Sequence, residues 1–133
     1  KSDAKNGTVT VSKLLKKTVK TVTIPATVTI DGYTFKVTAV ANNVFKNASR
    51  LKSVVIGANV KSIGKSGFYK CKKLATITFK GIKAPGVGKN AFKYGKSKVT
   101  VKVPKKMKKS QLNKLKKALK KAGVKKASYK KTK

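Results

Sequence analysis

Residues 40–62 read VANNVFKNASRLKSVVIGANVKS, and residues 63–86 read IGKSGFYKCKKLATITFKGIKAPG. Both segments contain an apolar residue, a phenylalanine five positions later, and then a leucine followed by alternating apolar residues. Residues 87–103, VGKNAFKYGKSKVTVKV, repeat most of this pattern, so that the phenylalanine recurs at spacings of 23 and then 24 residues. Several apolar positions that return together at a fixed period indicate a repeat protein whose units stack on one another.

Each repeat contains a short stretch in which apolar residues alternate with other residues, which predicts a short strand. The three stretches are 54–56, 77–79 and 101–103. We expect the phenylalanines to point inward from a turn on the opposite side, because one repeat alone cannot bury its apolar face. The predicted core positions are Phe45, Leu51, Val54, Ile56, Phe68, Cys71, Leu74, Ile77, Phe79 and Phe92.

The N-terminal part of the chain predicts a cap. Residues 27–37, TVTIDGYTFKV, predict a β-hairpin whose turn is Asp31-Gly32, a dipeptide that tolerates positive φ. A strand around 7–11 and a partial copy of the repeat at 19–24 precede and flank it. We expect this segment to cover the first repeat, since an uncovered end exposes apolar surface and unpaired backbone groups.

Residues 110–123, SQLNKLKKALKKAG, predict an amphipathic helix. Ser110 is the expected N-cap and Gly123 the expected C′ residue, with Val124 placed against Leu119. We expect the apolar stripe to dock on the last repeat, although a cationic amphipathic helix could instead bind a membrane. The stripe consists of Leu112, Leu115, Leu119 and Ala122.

These elements predict one monomeric domain, a mainly β or α/β solenoid of short rungs with a hairpin cap and a helix cap. No stretch approaches the roughly 18 apolar residues of a membrane-spanning helix, and no secretion signal is visible. Since the chain does not begin with Met, we expect it to be part of a longer protein. The predicted segments are 1–39 for the N-terminal strands and hairpin, 40–103 for the repeats, 104–124 for the helix, and 125–133 for a disordered basic tail.

The charge is extreme, with 36 Lys and Arg against 2 Asp and Glu and a formal net charge of +34. Arg50 is the sole arginine. Lysine acts as a hydrated point charge and lacks the planar fork with which arginine recognises particular phosphates or bases. The composition therefore favours salt-sensitive attraction to polyanions, or simply a solubilising surface.

The residue inventory argues against catalysis and cofactors. The chain has no His, and its acids are Asp3 and Asp31. These residues cannot supply a His-dependent triad or a metal cage. Gly64-Lys65-Ser66 is not a phosphate-binding loop, because Asn59 stands where that motif needs a glycine. We therefore expect a protein that is not an enzyme and has no cofactor or metal.

Cys71 is expected to be structural. It occupies the repeat position that Ala48 and Gly95 hold in the neighbouring copies. A position that accepts Ala, Cys and Gly is small and tightly packed, and a free cysteine behaves there as a small buried hydrophobe.

The repeats resemble the BspA-like leucine-rich repeats of bacterial surface proteins over about residues 19–124. The closing segment is similar to the lysine-rich C-terminal ending of such proteins in Gram-positive bacteria. Gly57 and Gly67 depart from the pattern, and the third repeat lacks the usual Cys and Leu. The matching motifs are Ile24-Pro25, Val60-x-x-Ile63-Gly64, Ala91-Phe92 and Cys71-x-x-Leu74-x-x-Ile77-x-Phe79.

The resemblance implies an extracellular module of the bacterial cell surface that adheres to host proteins or to other bacteria, without catalytic residues or cofactors. It also implies that alternate strand residues form an exposed sheet face. The candidate sheet-face residues are Thr21, Thr23, Ser53, Val55, Thr76, Thr78 and Thr100.

Most lysines of the repeats fall in the turns, and others gather at the C-terminal end. We expect this region to bind anionic polymers such as wall polymers, glycosaminoglycans or mucins. The candidate polyanion-binding residues are Lys65, Lys70, Lys72, Lys73, Lys89, Lys93, Lys96, Lys105, Lys106, Lys116 and Lys120.

Two other functions stay open, nonspecific nucleic-acid binding and membrane activity. Nucleic-acid binding would gain from arginine and from exposed aromatic residues among the lysines. The aromatic residues free for such a role, Tyr69, Tyr94 and Tyr129, are expected to be too few and too scattered for a stacking platform. Any nucleic-acid binding should therefore be nonspecific.

Overall fold

The computed structural model describes residues 2–3, 8–11 and 19–132. Two residues of predicted segments lie outside this description: Gly7, at the start of the predicted first strand, and Lys133, at the end of the predicted tail. The described elements are β1 (Ser2–Asp3), β2 (Thr8–Val11), β3 (Thr21–Ile24), β4 (Thr27–Ile30), β5 (Tyr33–Val40), β6 (Ser53–Ile56), β7 (Ser62–Ile63), β8 (Thr76–Phe79), β9 (Gly86–Val87), β10 (Lys98–Pro104), α1 (Lys109–Lys121) and β11 (Lys126–Thr132).

The strands form two sheets. The five-stranded sheet has the order β11-β10-β8-β6-β3, and the paired strands run parallel. The six-stranded sheet has the path β1-β2-β5-β7-β9, with β4 paired to β5. Parallel pairing of strands from successive repeats, with a C-terminal helix, makes the fold a short solenoid, as the sequence predicted.

The repeat spacing sets the strand register. Val54 pairs with Ile77, and Ile77 pairs with Val101, so equivalent residues of successive rungs lie side by side. The earlier partial copy also joins the stack, because Val22 pairs with Val54. Each of Val54, Ile77 and Val101 is fully buried, since alternate residues of a strand point to the same face.

The three phenylalanines stack in one column inside the solenoid. The ring centroids of Phe45 and Phe68 are 4.8 Å apart, and those of Phe68 and Phe92 are 5.0 Å apart. The rings are nearly parallel, at 8° and 3°. These distances match the spacing of about 4.8 Å between neighbouring strands, so the rung spacing determines the aromatic stack. All ten predicted core positions are buried.

The turns between the sheets stack as regularly as the strands. Backbone bonds join neighbouring turns, for example from Phe45 N–H to Gly67 O at 2.8 Å and from Phe68 N–H to Ala91 O at 2.7 Å. Each turn contains two residues in the left-handed region, with φ between 57° and 65°. Equivalent positions therefore repeat the same backbone conformation. The two columns are Asn43, Ser66 and Asn90, and Asn47, Lys70 and Tyr94.

The predicted N-terminal hairpin is present. β4 and β5 pair antiparallel on either side of Asp31 and Gly32, which have φ values of 52° and 81°. Two consecutive positive φ angles are the geometry of the type I′ turn that an Asp-Gly pair favours. Farther along, β5 enters the six-stranded sheet, and its residues Val37 and Val40 belong to the central core.

The helix covers the last rung, but it begins earlier than predicted. Ser110 is not the N-cap: Lys108 holds that position without a side-chain capping bond, and Ser110 lies inside the helix. The C-terminal prediction is confirmed, because Gly123 has φ +111° and Val124 N–H donates to Leu119 O at 3.0 Å. With the bond from Gly123 N–H to Lys120 O, this is a Schellman ending.

The prediction of a disordered tail is wrong. Residues 126–132 form β11, which pairs parallel with β10 along seven residues. Two features hold it there. Ala127 and Tyr129 are partly buried against the core, and Thr132 Oγ1 donates to Val103 O at 3.2 Å.

Candidate binding surfaces

The candidate sheet face consists of rows of side chains in register across the five-stranded sheet. One row carries a hydroxyl group on every strand, and its members are partly or fully exposed. A second row, displaced by two residues, changes from neutral to basic across the sheet. The first row is Thr21, Ser53, Thr76, Thr100 and Ser128, and the second is Thr23, Val55, Thr78, Lys102 and Lys130.

The structure brings all seven predicted sheet-face residues onto one surface, but that surface is larger and more charged than the sequence indicated. β11 adds Lys126 and Lys130, which pair with Lys98 and Lys102 of β10. The sheet face is therefore nearly uncharged on three strands and basic at its C-terminal end. Lysines on an edge strand also oppose further strand pairing.

All eleven predicted polyanion-binding lysines are exposed. The solenoid aligns some of them, because Lys65 and Lys89 hold equivalent positions on successive rungs, as do Lys72 and Lys96. Four of the eleven lie apart from these turns: Lys105 and Lys106 are in the connection before α1, and Lys116 and Lys120 are on the helix. We call the exposed lysines of the three stacked turns and of α1 the basic surface.

The end of α1 continues the stack of turns. Phe92 N–H donates to Ala122 O at 2.9 Å, as Phe45 and Phe68 donate to the next turn. Lys121 of the helix consequently lines the same surface depression as Val87 and Lys89. The helix therefore extends the basic surface by one more layer.

The structure also contains a cluster of lysines and tyrosines that the sequence analysis missed. The Tyr69 and Tyr94 rings lie 5.4 Å apart, with an angle of 76° between their planes. Lys46 Nζ and Lys70 Nζ each lie 5.6 Å from the centre of the Tyr69 ring, and Lys93 Nζ lies 5.1 Å from that of Tyr94. We call these five residues the lysine–tyrosine cluster.

A signal for this cluster is present in the repeat alignment. Tyr69 and Lys70 are neighbours in one turn, and Tyr94 holds the position of Lys70 in the next turn. Stacked turns therefore bring Tyr69 and Tyr94 into diagonal contact. The expectation that the tyrosines are scattered is therefore wrong for Tyr69 and Tyr94. Tyr129 does lie apart from them, on β11, with Lys116 Nζ 5.1 Å from its ring centre.

Cys71 is fully buried, and its Sγ donates to Phe45 O at 3.1 Å. Burial raises the pKa of the thiol to about 12, and a hydrogen bond with the backbone of Ala48 opposes this rise to a smaller extent. The adjoining cavity, which Phe68, Phe92 and other core residues line, has a volume of about 10 Å³, room for one water at most. This environment keeps the thiol protonated and inaccessible.

Acidic groups offset little of the positive charge. Among residues 8–11 and 19–132, Asp31 is the one acidic side chain, and it lies in the β4–β5 turn. Asp3 belongs to β1, whose side chains are not described. The lysines of the stacked turns are therefore available to external anions.

The parallel strands of successive rungs, stacked in register and covered at one end by a helix, define a solenoid repeat protein. The sequence profile described as "BspA type Leucine rich repeat region" matches residues 14–121 in six copies. The chain therefore belongs to the BspA-type leucine-rich repeat family.

A solved structure and the curated proteins give further comparisons. A leucine-rich cell surface protein from Faecalibacterium prausnitzii A2-165 is 27% identical, with a TM-score of 0.60. The match covers 77% of this chain and 34% of that protein, so the chain spans about a third of its length. Comparison with curated proteins gave no match.

The described helix does not meet the requirements of a membrane span: within residues 2–3, 8–11 and 19–132, no helix is both long and apolar enough. The apolar side of α1 is instead occupied, because Leu115 and Leu119 are fully buried in the central core.

Proposed function

We propose that this chain is a non-enzymatic binding module of a bacterial cell surface, and that its basic surface holds anionic polymers. The observation that carries the proposal is the alignment of exposed lysines on stacked turns, continued by α1. Acidic wall polymers, glycosaminoglycans and mucins repeat their charges along a chain. An aligned array of point charges suits such ligands without requiring one fixed binding geometry.

The cell-surface location and the absence of catalysis belong to the same proposal. The similar protein from Faecalibacterium prausnitzii is named as a cell surface protein. The chain lacks His and Glu and contains one Cys, which is buried. We further propose a single monomeric domain, supported by the one continuous core cluster that runs from Ile24 to Val124.

A salt series on immobilised heparin and immobilised teichoic acid tests the proposal. The first variant replaces four lysines of the stacked turns by Gln, and its matched control replaces four lysines of the sheet face, so both lose the same charge. The variants are Lys65→Gln, Lys72→Gln, Lys89→Gln and Lys96→Gln, and Lys98→Gln, Lys102→Gln, Lys126→Gln and Lys130→Gln.

We expect the wild-type chain to elute well above physiological salt and the turn variant to elute at clearly lower salt than the sheet-face variant. For binding through direct charge contacts, the logarithm of the association constant falls linearly with the logarithm of the salt concentration, and the slope reflects the number of contacts. Equal losses in both variants would mean attraction by net charge alone. Elution of the wild-type chain no later than a neutral protein would contradict the proposal.

The sheet face is the second candidate surface, for a host or bacterial protein. Its support is the pair of rows in which hydroxyl and β-branched side chains lie in register across strands β3, β6 and β8. If a protein ligand binds there, Thr76→Lys and Thr78→Lys should abolish capture of that protein and leave heparin retention intact.

Nonspecific nucleic-acid binding would instead show no sequence preference and vanish near physiological salt.

A further inference from the structure

The lysine–tyrosine cluster combines two kinds of chemistry in one exposed place. Lys46, Tyr69 and Lys93 hold equivalent positions on three successive rungs, and Lys70 and Tyr94 occupy the adjacent column on two of them. The side chain of Tyr94 is 53% exposed, and the three lysines are exposed. Ring surface and ammonium groups therefore alternate along the stacked turns.

The geometry limits what can occupy both parts of the cluster. An ammonium group within about 6 Å of an aromatic ring is attracted to the ring face, which positions each lysine before a ligand arrives. A matching ligand has an anionic group for the lysines and, directly beside it, an apolar C–H face for a phenol ring. Acidic sugar units, a uronate or a sulfated hexose, have both features.

The angle between the rings argues against successive nucleobases. Bases of a single strand that stack on aromatic side chains need ring faces that they can meet in turn. The Tyr69 and Tyr94 planes are 76° apart, so the edge of one ring is directed at the face of the other. Two stacked bases cannot lie flat on both rings in this arrangement, whereas a puckered sugar can lie against a single exposed ring.

We propose that the lysine–tyrosine cluster is a binding subsite for one acidic sugar unit of an anionic polysaccharide. This inference rests on the proposed binding of anionic polymers and adds the chemical class of the ligand. Lys46 and Lys93 stand two rungs apart, or about 10 Å, so their ammonium groups engage anionic groups on either side of the unit that contacts the tyrosines.

The test uses Tyr94→Asn, because Asn tolerates the left-handed conformation that residue 94 adopts, at φ 62°, better than Tyr does. The variant removes the ring without changing charge or straining the turn. Tyr33→Asn makes the same exchange at a tyrosine of the hairpin that is 70% exposed and serves as the control. Tyr69→Leu is a second cluster variant that keeps apolar volume.

Affinities for three probes are measured at physiological salt by calorimetry: a heparin hexasaccharide, inorganic polyphosphate of matched charge, and an oligothymidylate. We expect each cluster variant to lose about tenfold in affinity for the hexasaccharide, as truncation of a stacking ring does. Polyphosphate affinity should change less than twofold, and Tyr33→Asn should bind every probe like the wild type. Thermal unfolding midpoints close to or above that of the wild type establish that the variants fold.

The remaining outcomes overturn the inference in distinguishable ways. No loss for the hexasaccharide, or an equal loss for polyphosphate, removes the sugar-specific role of the rings. A larger loss for the oligothymidylate assigns the rings to nucleobase stacking. If the wild-type chain binds polyphosphate and not the hexasaccharide, this inference fails while the proposed polyanion binding stands; if it binds neither, both fail.

Discussion

At the scale of single residues, the repeat imposes backbone conformations that some of its residue types disfavour. Lys70 has φ +60°, a left-handed conformation that Asn47 holds in the preceding turn. A non-glycine residue there costs about 1–2 kcal/mol, and Asn less because its side chain can bond locally. The stacking of the turns stabilises Lys70 in this conformation.

Lys70→Asn is therefore expected to raise the free energy of unfolding by about 0.5 kcal/mol, even though it removes the ammonium group near the Tyr69 ring. Urea denaturation monitored by circular dichroism measures this change in the free energy of unfolding. The control is Lys72→Asn, which removes the same charge from an exposed residue without a positive φ and should be neutral. A loss of stability in Lys70→Asn alone would show that the lysine contributes more than the backbone costs.

Burial of Cys71 gives a pH-dependent prediction. The native pKa of the thiol, about 12, exceeds its ordinary value of 9.0, so between these values the native state binds more protons than the unfolded state. Stability from this group is complete below about pH 9 and falls as pH rises toward 12. The stability advantage of the wild type over Cys71→Ala should consequently shrink above pH 9.

Urea midpoints of both proteins at pH 8, 9, 10 and 10.5 test this, and Cys71→Ala is the control because it keeps every other ionisable group of the chain. A difference that stays constant across the series would contradict the buried, protonated thiol. Below pH 9 we expect Cys71→Ala to cost about 1 kcal/mol, because Ala48 shows that the position accepts a smaller side chain.

At the scale of elements, the C-terminal strand is the main addition to what the sequence predicted. β11 pairs with β10 along seven residues and places Tyr129 against the core. Removing residues 125–133 would expose the long edge of β10, and an uncovered strand edge promotes association.

We expect deletion of residues 125–133 to lower the free energy of unfolding by about 2 kcal/mol, the sum of several cross-strand contacts, and to promote self-association. A disordered tail would give no change. The control keeps the strand and replaces all five lysines of the segment by Gln, which separates loss of charge from loss of pairing; they are Lys125, Lys126, Lys130, Lys131 and Lys133. Denaturation midpoints and light scattering distinguish the two variants.

The elements differ in how far the sequence could predict them, and the reason is physical. The rungs were predictable because Phe45, Phe68 and Phe92 must meet in one interior, which fixes their period. β11 was not, because its pairing depends on β10 already being in place and only Ala127 and Tyr129 stand out among its polar residues. The sequence likewise suggested which lysines are exposed, whereas the contact of Tyr69 with Tyr94 follows from the diagonal offset between stacked turns.

At the scale of the whole molecule, the charge that favours polyanion binding opposes folding. A formal net charge of +34 with 2 acidic residues produces repulsion within the compact state that the extended chain partly relieves. Packing of the core compensates for this repulsion. Salt screens the repulsion between exposed lysines and also screens the attraction to ligands, so stability and binding should respond to salt in opposite directions.

We expect the thermal unfolding midpoint to rise by about 5 °C between about 20 mM and 500 mM NaCl, while heparin affinity falls over the same range. Differential scanning calorimetry measures the midpoint, and the two variants with four lysines replaced by Gln provide the control, since fewer charges must give a smaller rise. A midpoint that falls with salt would mean that attractive charge pairs, rather than repulsion, dominate the folded state. The lysines would then stabilise the fold and would no longer be free for a polyanion, so the same measurement bears on stability and on binding.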